Sequence, residues 1–456
     1  MDDLLTLSMT EAARAVRLGR TSSAALVDAC LERIEATEGL VGAFASLQAD
    51  SARRRARDLD AGEPIGPLHG VPVALKDLFF TAGVATEANC RALDGFTPDQ
   101  DAPVVSRLRD AGAVIIGKTN THELAYGVSC PASRNPWNHE RMTGGSSGGN
   151  AAGLAARQVF GALGTDTGGS VRIPSNYCGT TAIKTTRGAV PRDGVHLISW
   201  TYDTVGPMAR TAADCRLLLD VIAGFSPADP FSSKASFNEM MPPDTLTLGV
   251  PDESFFEGFK TDPEVRAVME EAIDEIGTIA SQVRTARLPH FSEHFDSGAT
   301  IVFAESAALL GDLLSSKGEL LDEEVRSILE GGTGIPGTAL ASAQAKRMGI
   351  ERSYLDAFEQ QGVDVIVTPV NPNLPLAHGC ADVEGVPLIP ATTQFTFPVN
   401  GAGLPAIALP GGFSADGLPI GFQLIGPPLS EYTLAALGEA FQSVTDFHEE
   451  IPTLES

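Results

Sequence analysis

The sequence predicts an α/β fold built on one sheet with helices on both faces. Three observations lead there. From about residue 65 onward, short apolar runs that end at glycine or polar residues alternate with helical stretches. Strand-like runs return after a long helical middle. No internal repeat divides the chain into similar units. A length of 456 residues has room for two or three domains. Strands on both sides of the middle can nevertheless complete one sheet, so a single domain over 1–456 is expected.

The elements follow in order. Residues 8–60 read as helices: Ser8-Met9-Thr10-Glu11 fits a capping box, and Leu26, Ala29, Cys30 and Ile34 recur at helical spacing. Residues 53–58 look like a solvated helical face. The runs 71–75, 113–116 and 159–163 read as strands, with a helix over 104–111 between them. Polar residues just beyond such strands are where α/β sheets place ligands. Residues 210–225 read as helix, 246–250 as strand, and 262–280 and 300–360 as mostly helix. The runs 363–367, 406–409 and 421–425 return to strand.

Composition narrows the function. Hydrophobic residues make up 43% and charged residues 20%, ordinary values for a globular protein. The formal net charge of −26 repels phosphate backbones and anionic membrane surfaces, so neither a nucleic-acid nor a membrane partner is expected. No apolar stretch reaches the roughly 20 residues that span a bilayer. Met1-Asp2-Asp3 lacks the basic start of a signal peptide. The six cysteines form no CxxC pair, which predicts free thiols and a cytoplasmic location. Only seven of the 32 basic residues are lysine, so each lysine in a polar motif is informative.

Metal and cofactor signals are absent. There is no HExxH and no Cys/His cluster, and of the eight histidines only His122 and His139 lie near Gly-rich segments. A lone loop histidine is more often structural. Gly332-Thr333-Gly334-Ile335-Pro336-Gly337 matches GxGxxG, but a helix-like segment precedes it where a dinucleotide site needs a strand. A loop between helices is expected there, and no metal or cofactor.

The segment 143–174 carries the chemistry. Thr-Gly-Gly-Ser-Ser-Gly-Gly-Asn and Gly-Thr-Asp-Thr-Gly-Gly-Ser-Val-Arg-Ile-Pro flank an Ala-rich helix and a strand. Glycines let backbone N–H groups converge on an anion, and an anion nest beside a serine is what acyl transfer requires. Two tight turns would explain either cluster alone. Gly144-Gly145-Ser146-Ser147-Gly148 also satisfies GxSxG, the elbow that would make Ser146 the nucleophile of an α/β-hydrolase. The upstream 138–142 is polar and not a strand, and neither His378 nor His448 sits in a context that points to a site. A serine without a histidine needs another base. Lys76, at the end of the apolar run 71–75, is the candidate if burial lowers its pKa. A surface pair with Asp77 is the competing explanation.

These residues together resemble the amidase signature family. Leu68-His69-Gly70-Val71-Pro72-Val73-Ala74-Leu75-Lys76-Asp77 resembles its lysine motif, and Gly144-Gly145-Ser146-Ser147-Gly148-Gly149 its Gly/Ser signature. Gly164 through Pro174 resembles the nucleophile block. Asp101-Ala102-Pro103, Gly117-Lys118-Thr119-Asn120, Asn135-Pro136-Trp137, Gly403-Leu404-Pro405-Ala406 and Gly417-Leu418-Pro419-Ile420-Gly421 are similar to further blocks. The matches run from about 65 to 210 and from 395 to 427, with a helical N-terminal region over 1–60. The resemblance implies a large mixed sheet covered by helices and a small-molecule amide substrate. It implies Lys76 as base, Ser146 as cis-peptide relay and Ser170 as nucleophile. It places the oxyanion hole on the N–H groups of Thr167, Gly168, Gly169 and Ser170, puts Ala125 in the acyl pocket, and suggests a homodimer. Leu78 and Phe79 depart from the family's usual context, and Cys130-Pro131-Ala132-Ser133 is shorter than its usual loop. Both bear on substrate class. Amidotransferase subunits that generate ammonia within a tRNA-dependent complex resemble the family too and form the alternative.

Overall fold

The computed structural model describes residues 2–257, 260–288 and 294–454. Its strands in chain order are β1 Phe44–Leu47, β2 Pro72–Lys76, β3 Val114–Thr119, β4 Gly161–Asp166, β5 Thr181–Lys184, β6 Thr204–Ala209, β7 Thr247–Pro251, β8 Gln282–Ala286, β9 Val365–Pro369, β10 Asp382–Val383, β11 Val386–Pro387, β12 Ala406–Phe413 and β13 Pro419–Ile425. Among the described residues, eleven of them form one sheet in the order β1-β3-β2-β4-β6-β5-β12-β13-β9-β7-β8, and β10 pairs only with β11. The sheet is mixed. β3, β2 and β4 run parallel, as do β9, β7 and β8. Antiparallel pairs through β6, β5, β12 and β13 join the two halves.

Burial explains which strands are legible in the sequence. Every residue of β2, β3, β4 and β9 is buried, so these strands read as continuous apolar runs. The edge strands β1 and β8 are half or mostly exposed and carry no such signal. β1 lies inside the stretch expected to be all helix. β5 and β6 go unpredicted although they are fully buried, because Thr, Lys, Gly and Pro interrupt their apolar pattern.

The helices follow the same logic. The first long one, Met9–Arg17, opens with the expected capping box: Ser8 Oγ accepts from Glu11 N–H, and Glu11 Oε2 accepts from Ser8 N–H. The helix Ser23–Val41 buries Leu26, Ala29, Cys30 and Ile34 on one face. In Ala49–Asp60 only Ala52, Ala56 and Leu59 are buried, and the arginines between them face outward. The GxGxxG glycines fall at the end of the helix Glu323–Thr333 and the start of Gly337–Glu359, a loop between helices as expected. All six cysteines are free thiols.

One expectation needs correction. The segment Phe295–Leu320, mostly the helix Phe295–Lys317, is long and apolar enough by length and composition to cross a membrane. Scattered polar residues hide this from the eye. The helix is tied to the rest of the protein: buried Glu305 accepts hydrogen bonds from Ser199 Oγ at 2.5 Å, from Thr201 N–H at 3.0 Å, and from Thr201 Oγ1.

Candidate active site

The two parallel strands β2 and β4 end side by side, and the site forms at those ends. Leu75 pairs with Leu163 across them. Lys76 is therefore the last residue of one strand, with Thr165 near the end of the other. Lys76 Nζ donates to Ser146 Oγ at 2.7 Å and to Thr165 Oγ1 at 2.9 Å, and its side chain is wholly buried. Removal from water lowers its pKa from 10.5 to about 7; Cys130, Asp203 and Asp166 oppose the shift from a distance. The competing surface pair with Asp77 does not form. Asp77 turns instead to buried Lys118, 3.1 Å away on β3, and accepts N–H bonds from Glu87 and Ala88.

The Gly/Ser loop brings Ser146 to Lys76. The Gly145–Ser146 peptide is cis. A Cβ on Gly145 would lie 2.0 Å from the Ser129 carbonyl oxygen, so only glycine fits there. Ser147 N–H donates to Ser170 O at 3.1 Å, which ties this loop to the second one. The helix Gly148–Ala155 then runs away from the site, and Asn150 on it donates to Leu163 O on β4 at 2.9 Å.

The second loop connects β4 to the short helix Arg172–Cys178 and carries Ser170. Asp166 organises it from below. Its carboxylate accepts from Gly169 N–H at 2.8 Å and Val171 N–H at 3.2 Å, and holds a buried ion pair with Arg172 at 3.0 Å. Asn400 adds a bond at 2.8 Å. Burial pushes the Asp166 carboxyl up, but Arg172, Lys184 and Asn400 outweigh it and hold it below the usual range. Asp203 accepts from Thr167 Oγ1 at 2.6 Å and fixes the start of the loop. Gly169 sits at φ +127, where a Cβ would meet Thr396 Oγ1 at 2.5 Å.

Of the four N–H groups expected to form an oxyanion hole, that of Gly169 is committed to Asp166. Among the described residues, those of Thr167, Gly168 and Ser170 have no acceptor. Ser170, Thr167 and Gly168 line a cavity of about 730 Å³, whereas Lys76 and Ser146 lie behind its wall. Ala125 lines the cavity too, at φ 66 and next to Leu124 at φ 48.

Sequence similarity places this arrangement among known proteins. The amidase family pattern matches residues 25–435. The chain belongs to the amidase signature family. It is 39% identical over 489 aligned positions to a glutamyl-tRNA(Gln) amidotransferase subunit of Roseiflexus sp. (strain RS-1), covering 98% of each chain. It is 39% identical over 473 positions to an amidase of Pseudomonas putida, covering 100% of this chain and 99% of the other. A 6-aminohexanoate cyclic dimer hydrolase superposes with a TM-score of 0.89 at 28% identity, covering 99% of each chain. The amidase signature fold and the C–N hydrolase class go with this membership.

Several residues of the site escape a reading of the sequence. Thr165, the second partner of Lys76, lies in a recognised motif but nothing there marks its role. His122 is expected to be structural and His378 out of context, yet both line the cavity. His378 Nε2 donates to Pro131 O at 3.1 Å. Cys130, in the loop shorter than the family's, is fully buried and reaches the same cavity. Lys184 is a second buried lysine, its pKa lowered to about 7 first by burial and then by Arg172. It donates to Thr185 O at 2.9 Å.

Proposed function

We propose that the chain hydrolyses a carboxylic amide through an acyl-enzyme on Ser170, with Ser146 as proton relay and Lys76 as base. The observation that carries the reading is Lys76: wholly buried, with a lowered pKa, and bonded to Ser146 and Thr165 and not to a carboxylate. A free lysine with pKa about 10.4 is about one part in 2,500 neutral at pH 7. At a pKa of about 7 roughly half is neutral, a gain of about 4–5 kcal/mol in available base.

Ser170 Oγ attacks the carbonyl carbon. Its proton passes to Ser146 Oγ as the Ser146 proton passes to Lys76 Nζ. The N–H groups of Thr167, Gly168 and Ser170 stabilise the oxyanion. The C–N bond breaks as the relay runs backward and protonates the leaving nitrogen. Water, deprotonated by the same relay, then releases the acid. Serine labelling by a fluorophosphonate, lost in Ser170→Ala, tests the assignment. Labelling that persists in that variant overturns it.

The second reading is an amidotransferase subunit that supplies ammonia within a complex. The name of the Roseiflexus relative favours it. Release of ammonia or amine from simple amides by the isolated chain supports the amidase. Turnover of glutamine alone, and only with added partner proteins, supports the amidotransferase reading. The free thiols fit the cytoplasmic location expected from the sequence.

A further inference from the structure

Resting on that reading of the site, the charges of the cavity restrict the substrate. Apolar side chains form most of the wall, among them Val128, Ile198, Phe295, Val302, Leu388 and Phe397. Among the described residues, no arginine or lysine lines it. Two carboxylates do: Asp322 and Glu324, both exposed, at the start of the helix Glu323–Thr333. Among the described residues neither has a cationic partner, and Asp322 N–H is committed to Glu123 Oε2 at 2.8 Å. Deeper in, His122 is buried and its Nδ1 finds no hydrogen-bond partner among the described residues. Burial lowers the pKa of that ring, against the pull of the nearby Glu324. The cavity thus offers apolar surface, one buried imidazole with an unpartnered Nδ1 among the described residues, and negative charge at one rim.

We propose that this cavity takes amides with an apolar body that carries no carboxylate, and that Asp322 and Glu324 favour those whose distal end bears an ammonium group. A free amino-acid amide such as glutamine presents a carboxylate beside its α-ammonium, and that carboxylate would here leave water for a wall without a cation. A neutral or cationic chain meets no such cost. His122 offers the body one hydrogen bond, to an ether, amide or hydroxyl on the ligand.

The test uses binding, so that it does not depend on turnover. Ser170→Ala protein is titrated calorimetrically with three amides of equal length, ending in methyl, ammonium and carboxylate, and with L-glutamine. The ammonium ligand is expected to bind at least about tenfold tighter than the carboxylate ligand, as two rim charges at partly solvated distances would give. Glutamine, whose carboxylate offsets its ammonium, should bind more weakly than the ammonium ligand. In Asp322→Asn/Glu324→Gln on the same background, the ammonium-to-carboxylate ratio should collapse toward one, and raised salt should shrink it in the parent. A ratio that survives the double substitution removes these two residues from selection. Carboxylate-ligand binding as tight as the methyl ligand, or glutamine binding as tight as the ammonium ligand, overturns the proposal. Serine labelling that persists in Ser170→Ala with the charge order intact would instead count against the assignment of Ser170 and leave the specificity standing.

Discussion

At the residue scale the account turns on a lysine with a neutral-leaning pKa and two serines of unequal duty. Ser170→Ala is expected to lose turnover while its melting temperature stays near that of the parent. Ser146→Ala should be severely impaired, because it cuts the 2.7 Å bond from Lys76. Ser147→Ala should cost less: among the described residues its Oγ reaches only Thr165 O, at 3.4 Å. Steady-state rates of the two single variants decide this, and the reverse ranking would move the relay to Ser147. The serines are legible because two Gly/Ser clusters flank one helix and one strand and, together with the lysine motif, resemble the amidase signature blocks. Lys76 is not separable from a surface lysine by sequence alone. What separates them is that Asp77 bonds to Lys118, a contact made by strand pairing and invisible to local pattern. Lys184 is hidden for the same reason, and it gives a stability prediction. Its folded pKa of about 7 lies below the unfolded value of 10.5, so the fold favours the neutral form. The penalty for keeping it in the fold, that of a buried ammonium, is fully present below about pH 7 and is relieved as pH rises from about 7 toward 10.5. Denaturant unfolding of the parent should therefore gain stability over that window relative to Lys184→Met. A difference that does not change with pH would mean that Lys184 is charged in the folded protein.

At the element scale, the decisive piece is the loop between β4 and the helix Arg172–Cys178. Its shape is set by Asp166, which is satisfied on both oxygens and paired with Arg172, both wholly buried. Arg172 also donates to Asn400 Oδ1 at 2.6 Å and to Gln423 Oε1 at 2.8 Å, tying the loop to β13. Removing one member of such a pair leaves a buried charge unmatched. Arg172→Met is expected to lose about 3–5 kcal/mol of stability, read from the shift in denaturation midpoint. A loss under about 1 kcal/mol would show that Asp166 is neutral or rehydrated. The motif can be read from the sequence but its wiring cannot, since the partners of Arg172 lie near the other end of the chain. The same limit applies to strands. The buried runs of β2, β3, β4 and β9 announce themselves, whereas β1 and β8 at the edges and the Thr- and Gly-bearing β5 and β6 do not. β5 and β6 make up half of the antiparallel stretch β6-β5-β12-β13 that joins the two parallel halves, so local periodicity leaves part of that junction unread.

At the scale of the whole molecule, one sheet brings Lys76 and the two Gly/Ser loops together, and the second loop opens onto the cavity through Thr167, Gly168 and Ser170. Among the described residues, no group of three His, Cys, Asp or Glu side chains could hold a metal ion. Because the sequence carries no HExxH and no Cys/His cluster, dialysis against a strong chelator is expected to leave the proposed amide hydrolysis intact, and recovery of lost activity by zinc would reveal a site overlooked. The proposed mechanism requires that Ser170 of the isolated chain is acylated by an amide with Lys76 as base. Stopped-flow acylation by an activated amide, followed against pH, tests it directly. The rate should rise with pH through about 7, since the lowered pKa makes Lys76 neutral above that value. Lys76→Ala should flatten this rise and retain only a hydroxide-dependent rate at high pH. Lys76→Arg should not rescue, because a guanidinium stays protonated. A Lys76→Ala profile that still rises through about pH 7 at the parent rate would contradict the account.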